Sequence, residues 1–185
     1  NDFFEILRNV EYKRLDTHKQ VYLDFTGGNL YAKSQILEHQ DLLINNILGN
    51  PHSTNPTSQL STKLVEESRQ KVIDYFNAED YYCIFTQNAS NALKIVGESY
   101  LFNEKSHFLL LADNHNSVNG IRQFCLSKGG KVTYAPIYYQ DLRMDENFVM
   151  EKLQESENFE NKLFAFPAQS NVSGVKHDLG WIKKA

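Results

Sequence analysis

Three stretches of the 185-residue chain set small polar residues directly after an apolar run. Residues 82–85 (YCIF) lead into Thr86-Gln87-Asn88-Ala89-Ser90-Asn91, where a helical pattern begins. The free N–H groups and positive dipole end of a helix opening at Ala89 suit a phosphate, and the Ser90 hydroxyl adds a donor. Asn88 or Ser90 also fits a plain N-cap, and both readings stand. Residues 107–112 (HFLLLA) lead into Asp113-Asn114-His115-Asn116-Ser117. There His115 can stack on a flat heteroaromatic ligand or carry a proton, or simply bond the backbone of its own loop. Residues 162–166 (KLFAF) lead into Pro167-Ala168-Gln169-Ser170-Asn171. The Gln169 and Asn171 amides can meet a ligand oxygen, although the composition is also that of an ordinary turn. Together, a phosphate seat, a stackable histidine and an amide-bearing loop describe a pocket for a flat, phosphorylated, heteroaromatic cofactor.

The elements that must position these residues are visible as an alternation. Short runs that are apolar throughout, at 82–85, 107–112, 131–137 and 162–166, predict strands buried on both faces. Between them, helical spacing is predicted over 89–101, 117–128 and 145–155, with Gly129-Gly130 as a stop. This order predicts an α/β fold with a mostly parallel sheet sandwiched by helices. Ligands of such sheets bind outside the carboxyl ends of the strands, where the three polar stretches fall. Upstream, a charged helix is predicted over 1–20, a short strand over 22–26 (YLDFT) ending in the turn Gly27-Gly28, and a long amphipathic helix over 58–77. The segment 48–62, rich in Asn, Pro and Ser, is predicted to be mostly loop. A helix is predicted to open near 178.

Composition excludes several classes. With 19 basic and 23 acidic residues the net charge is −4, so no basic footprint for nucleic acid or anionic lipid is present. No apolar run approaches the roughly 20 residues needed to span a bilayer. Cys83 and Cys125 cannot build a disulfide framework or a metal knuckle, which favours a reducing cytoplasm. Both read as packing residues. His18, His39, His107 and His177 show no metal-ligand spacing and read as surface or packing residues. Glycine-rich dinucleotide and P-loop fingerprints are absent.

Five co-linear segments, YLDFTGG (22–28), GNPHS (49–53), FTQNASNALKIVGE (85–98), DNHNSVNGIR (113–122) and FAFPAQSNVSG (164–174), resemble the class V aminotransferase family of pyridoxal-phosphate enzymes. Within that family the likeness is greatest to the amino-terminal, cysteine-desulfurase-like domain of molybdenum cofactor sulfurases. The resemblance implies an incomplete large domain of the aspartate aminotransferase-like fold over 51–185, preceded by a helical arm, short strand and turn over 1–50. It implies that Asn88, Ala89 and Ser90 hold the cofactor phosphate, that His115 stacks on the pyridine ring, and that Asn171 bonds the ring's phenolic oxygen beside Gln169. It places Thr26, Gly27, Gly28, Asn50, His52 and Ser53 near the substrate mouth and the partner subunit of a homodimer. Gln87 and Asn88 depart from the small residues usual in the family's phosphate turn.

The family's Schiff-base lysine and pyridine-pairing Asp lie further along than this sequence runs, so the fragment by itself is expected to be inactive. The expected function of the whole protein is conversion of a small amino acid, with the sulfurase likeness pointing to sulfur transfer. The alternative is a non-catalytic domain for dimerisation or for binding a phosphorylated ligand.

Overall fold

The computed structural model describes residues 2–25 and 27–185. They fall into two compact units that divide between Ile84 and Phe85, each taken by itself below.

In the second unit, helix α5 (Ala89–Ser99) precedes three strands, β1 (Ser106–Leu111), β2 (Lys131–Ala135) and β3 (Asn161–Ala165). The short helices α6 (Asn116–Asn119) and α7 (Ile121–Ser127) join β1 to β2; α8 (Glu146–Ser156) joins β2 to β3; α9 (Trp181–Lys184) follows. The sheet order is β2-β1-β3 and both pairs are parallel, with Leu109 opposite Thr133 on one side and Phe164 on the other. The predicted parallel α/β architecture is therefore present.

Every residue of β1 is at most 1% exposed, so the strand must be apolar or fully bonded on both faces. Its alternate residues feed two cores. Leu109 and Leu111 pack with Ala135, Met144, Val149 and Trp181, while Phe108 and Leu110 pack with Phe102, Ile121 and Cys125. Helix α8 thus covers one face, and α7 covers the other. Helix α5 joins α7 on that second face, through Leu93 and through Gly97, where an added Cβ would stand 2.6 Å from the Phe124 ring. His107 is the polar exception in β1. Its Nδ1 lies 2.6 Å from Ser156 Oγ and its Nε2 2.9 Å from Thr133 Oγ1, so both ring nitrogens are satisfied inside the sheet layer.

In the first unit, α1 (Asp2–Glu11), α2 (Arg14–Thr17), α3 (Lys33–Asn45) and α4 (Pro56–Phe76) are connected by irregular segments. Asn55 caps α4 by accepting from Ser58 N–H at 3.0 Å, Pro56 starts it, and Asn77 ends it in the left-handed region at φ 49°. Arg8 and Asp16 join α1 to α2 at 2.8 Å. The Arg14 guanidinium lies 4.5 Å from the centre of the Tyr31 ring.

Several expectations are corrected. Residues 82–85 form no strand: Tyr82 is 96% exposed and Ile84 74%, and among the described residues the ladders of the sheet join only β1, β2 and β3, which leaves this run without a paired neighbour. Tyr22–Phe25 is likewise not a strand but leads into a turn held by Gly27 N–H on the Asp24 carbonyl. Thr26 lies outside the described residues. The charged helix over 1–20 is two helices, and the one over 117–128 divides at Gly120 into α6 and α7. Helix α3 was not expected; its Ile36, Leu37, Leu43 and Ile44 share one face, and all four are exposed.

Two measurements follow from this packing. Burial and the neighbouring Lys131 ammonium hold the His107 pKa below its ordinary 6.5. The unfolded chain therefore takes up this proton first, and stability is full above about pH 6.5 and declines as pH falls towards the folded pKa. Denaturant unfolding across this range should show a fall of at most about 1.4 kcal/mol per pH unit from this one group. His107→Gln should flatten that part of the profile, and an unchanged slope would remove His107 as its source. Gly97→Ala should cost about 1–3 kcal/mol by forcing α5 and α7 apart, read in the same unfolding experiment.

Candidate functional site

The second unit assembles its candidate residues at the carboxyl ends of β1 and β3. From β1 the chain turns to α7 on one face of the sheet. From β3 it runs through 167–177 to Trp181, which packs on the opposite face. Neighbouring parallel strands whose continuations part to opposite faces leave a crevice between their ends, the general ligand position of open α/β sheets.

One wall of the crevice is the start of α5. Asn88, extended at φ −170°, caps the helix by accepting Asn91 N–H at 2.9 Å. The capping reading of Asn88 is thus realised. The N–H groups of Ala89 and Ser90 have no acceptor among the described residues and remain available to an anion. Thr86 braces the turn by donating its hydroxyl to the Asn88 carbonyl at 2.9 Å.

The second wall is the loop after β1. His115 caps the short α6, its Nδ1 accepting Ser117 N–H at 3.2 Å and lying 2.9 Å from Ser117 Oγ. With Nδ1 accepting, the ring carries its proton on Nε2, and the ring is exposed. The Ser117 hydroxyl also bonds the Ser90 hydroxyl, so one hydroxyl joins the phosphate-suited turn to the stackable imidazole. Two of the three stretches singled out in the sequence are therefore brought together directly.

The third stretch is tied to the second by neighbours of its candidate residues. Gln169 and Asn171 are exposed, whereas Ser170 between them is 2% exposed and donates its hydroxyl to the Asp113 carbonyl at 3.4 Å. Gln169 pairs with Lys176 across the loop, and His177 N–H returns to the Ala168 carbonyl at 3.1 Å. Asn114, 6% exposed, donates one amide to both the Leu111 and Ala165 carbonyls at 3.0 Å, closing the ends of β1 and β3.

The remaining sequence candidates lie in the first unit. A Cβ on Gly27 would meet the Asp24 carboxylate at 2.8 Å, and the Gly28 carbonyl accepts the Tyr22 hydroxyl. His52 sits in the left-handed region at φ 71°, with its N–H on Thr62 Oγ1 at 2.9 Å, and the Ser53 hydroxyl accepts from Asn55 at 3.4 Å. Asn50 is exposed in the same loop.

Sequence reasoning missed Asn114, Ser117, Ser170 and the buried pair Asp113–His177. Asp113 just past the end of the buried strand β1 was the available signal, since a carboxylate there must find a partner. Among the described residues, no helix is long and apolar enough to cross a membrane, and no group of three or more His, Cys, Asp or Glu could hold a metal ion.

The aminotransferase class-V family model matches residues 21–185. Molybdenum cofactor sulfurase of Arabidopsis thaliana is 35% identical over 198 residues, covering 96% of this chain and 24% of that protein. The Homo sapiens protein of the same name is 36% identical over 189 residues, covering 96% and 20%. The chain thus spans less than a quarter of the length of these relatives. Among solved structures, the cysteine desulfurase CsdA of Escherichia coli shares the fold with a TM-score of 0.72 at 20% identity, over 96% of this chain and 44% of that one. The chain belongs to the class-V aminotransferase family and is homologous to the amino-terminal region of molybdenum cofactor sulfurases.

Proposed function

We propose that the protein of which this chain is part is a pyridoxal-phosphate enzyme acting on a small amino acid, with cysteine as substrate and sulfur transfer to an acceptor as reaction. The observation that carries this reading is the linked constellation at the sheet's carboxyl edge: open N–H groups at Ala89 and Ser90, the exposed His115 ring bonded through Ser117, and the exposed Asn171 amide. The donor set fits the cofactor's parts. Backbone N–H groups at a helix start suit the phosphate, a neutral imidazole suits a pyridine face, and an amide suits a phenolic oxygen.

When bound, pyridoxal phosphate supplies an electron sink for negative charge developing on the amino acid. The chain's own residues bind and orient. Ala89 and Ser90 would hold the phosphate, with Asn88 keeping the α5 turn in the shape that presents their N–H groups. His115, tied to Ser117, would hold the pyridine ring, and Asn171 beside Gln169 would bond its phenolic oxygen. Proton transfer at the substrate would fall to a lysine, a role this reading assigns to none of the residues named above.

The same reading assigns Gly27, Gly28, Asn50, His52 and Ser53 to the substrate mouth of a homodimer in a reducing cytoplasm. The two free cysteines and the exposed apolar residues Phe3, Phe4, Ile6 and Val10 of α1 support it.

The test uses the full-length protein with cysteine and a thiol acceptor, measuring alanine formed per cofactor bound. Alanine formation with equal transfer of sulfur is expected, and cofactor binding without alanine would favour the non-catalytic alternative. His115→Ala should raise the dissociation constant for pyridoxal phosphate about tenfold, equivalent to about 1.4 kcal/mol. Unchanged cofactor content in that variant would sink the stacking role.

A further inference from the structure

The loops after β1 and β3 are joined by a pair of side chains that none of the ligand contacts uses. Asp113 and His177 are 64 residues apart in sequence, yet His177 Nε2 donates to Asp113 Oδ2 at 3.1 Å. Both side chains are 2% exposed. The second carboxylate oxygen, Oδ1, is buried and has no partner among the described residues. Ser170 reinforces the junction. Its hydroxyl reaches the Asp113 carbonyl and accepts Val172 N–H at 3.2 Å and Ser173 N–H at 3.3 Å.

Stability alone is a poor reason for such a pair. Withdrawing a carboxylate from water is costly, one of its oxygens goes unbonded here, and apolar pairs of similar volume often stabilise a fold as well. What a directional hydrogen bond supplies, and an apolar contact does not, is a set distance and angle between two backbone segments. One of these segments runs from Asp113 to Ser117 and carries His115. The other runs from Pro167 to His177, carries Gln169 and Asn171, and folds back on itself through the Gln169–Lys176 pairing and His177 N–H on the Ala168 carbonyl. Each segment alternates a buried junction residue with an exposed candidate contact: Asn114 beside His115, and Ser170 beside Asn171.

We propose that Asp113 and His177 are positioning residues whose buried pair locks the loop after β1 to the loop after β3. The lock sets the spacing between the His115 ring and the Asn171 amide. The inference rests on the proposed function for those two contacts, and neither locking residue touches the ligand.

The experiment compares full-length wild-type protein with His177→Ala, which removes the donor, and His177→Gln, whose terminal amide N–H can stand in for Nε2. Hydrogen exchange is followed first in cofactor-free protein. His177→Ala should speed exchange at least tenfold in both 113–119 and 168–177, and His177→Gln should restore both. The dissociation constant for pyridoxal phosphate is then measured by equilibrium titration. It should rise at least tenfold in His177→Ala and stay within threefold of wild type in His177→Gln.

Faster exchange confined to 168–177 would overturn the lock, as would failure of glutamine to rescue. Loosening of both loops with unchanged cofactor affinity would overturn the positioning role. If the alanine variant does not fold, the double variant Asp113→Ala/His177→Ala leaves no unpaired buried charge and makes the same comparison. Wild-type protein that binds no pyridoxal phosphate would overturn the cofactor reading instead. The concerted exchange of the two loops would still establish the lock in that case, and its absence would overturn the lock as well.

Discussion

A right-twisted strand that leads through a helix to a parallel neighbour packs back onto its sheet with one hand only. Strand β1 has β2 on one side and β3 on the other, so the two crossovers travel in opposite directions along the sheet. Keeping the same hand while reversing direction sends α7 to one face and α8 to the other. The rest of the second unit depends on that reversal. It buries β1 on both faces, which is why Phe108, Leu109, Leu110 and Leu111 run without a polar interruption. It also divides the core into two clusters fed by alternate residues of one strand. Finally, it parts the chain beyond β1, which carries His115, from the chain beyond β3, which carries Asn171.

A crevice formed by strand ends exposes backbone carbonyls that have run out of ladder partners, and these must be satisfied before a ligand can be. Asn114 meets two of them with one amide group, and Ser170 takes a third. These residues are buried and their hydrogen bonds are spent on the protein. The adjacent His115 and Asn171 are exposed, and His115 directs only Nδ1 inward, towards Ser117. The division of labour follows from successive residues of an extended loop pointing to opposite sides. One residue closes the sheet end, and the next is left to the solvent or to a ligand.

Strands and helices whose signals are local were legible in the sequence. Residues 107–112 and 162–166 read as buried strands because parallel pairing hides both faces, and the helix read over 145–155 is α8, whose cap Asp145 accepts Phe148 N–H at 3.0 Å. The run YCIF carries the same local signal, but strand formation requires a neighbour, and periodicity says nothing about which strands lie side by side. Asn88, Ser90 and His115 stand out in the sequence because their chemistry is tied to an apolar run's end or a helix start. Asp113 and His177 escaped because a partner 64 residues away leaves no trace in spacing, and a histidine's burial depends on the tertiary fold. Ser117 escaped for a related reason: a serine two residues past a histidine is common, and only the approach of α5 gives it the second bond to Ser90.

The two sets of candidate residues rest on different physical footings. Asn88, Ala89, Ser90, His115 and Asn171 are placed by a unit with its own double core, so their geometry is backed by buried apolar side chains. In the first unit the buried described residues are Ser58 and Ser61, while Phe3, Phe4, Ile6, Ile36, Ile44, Tyr75 and Phe76 remain exposed. Helices of this length do not persist on local propensity alone, and without apolar burial there is little to offset the entropy of ordering them. Among the described residues of the first unit, no cluster of buried apolar side chains stands behind Gly27, Gly28, Asn50, His52 and Ser53. Their shape rests instead on local bonds, such as Gly27 N–H on the Asp24 carbonyl and His52 N–H on Thr62 Oγ1.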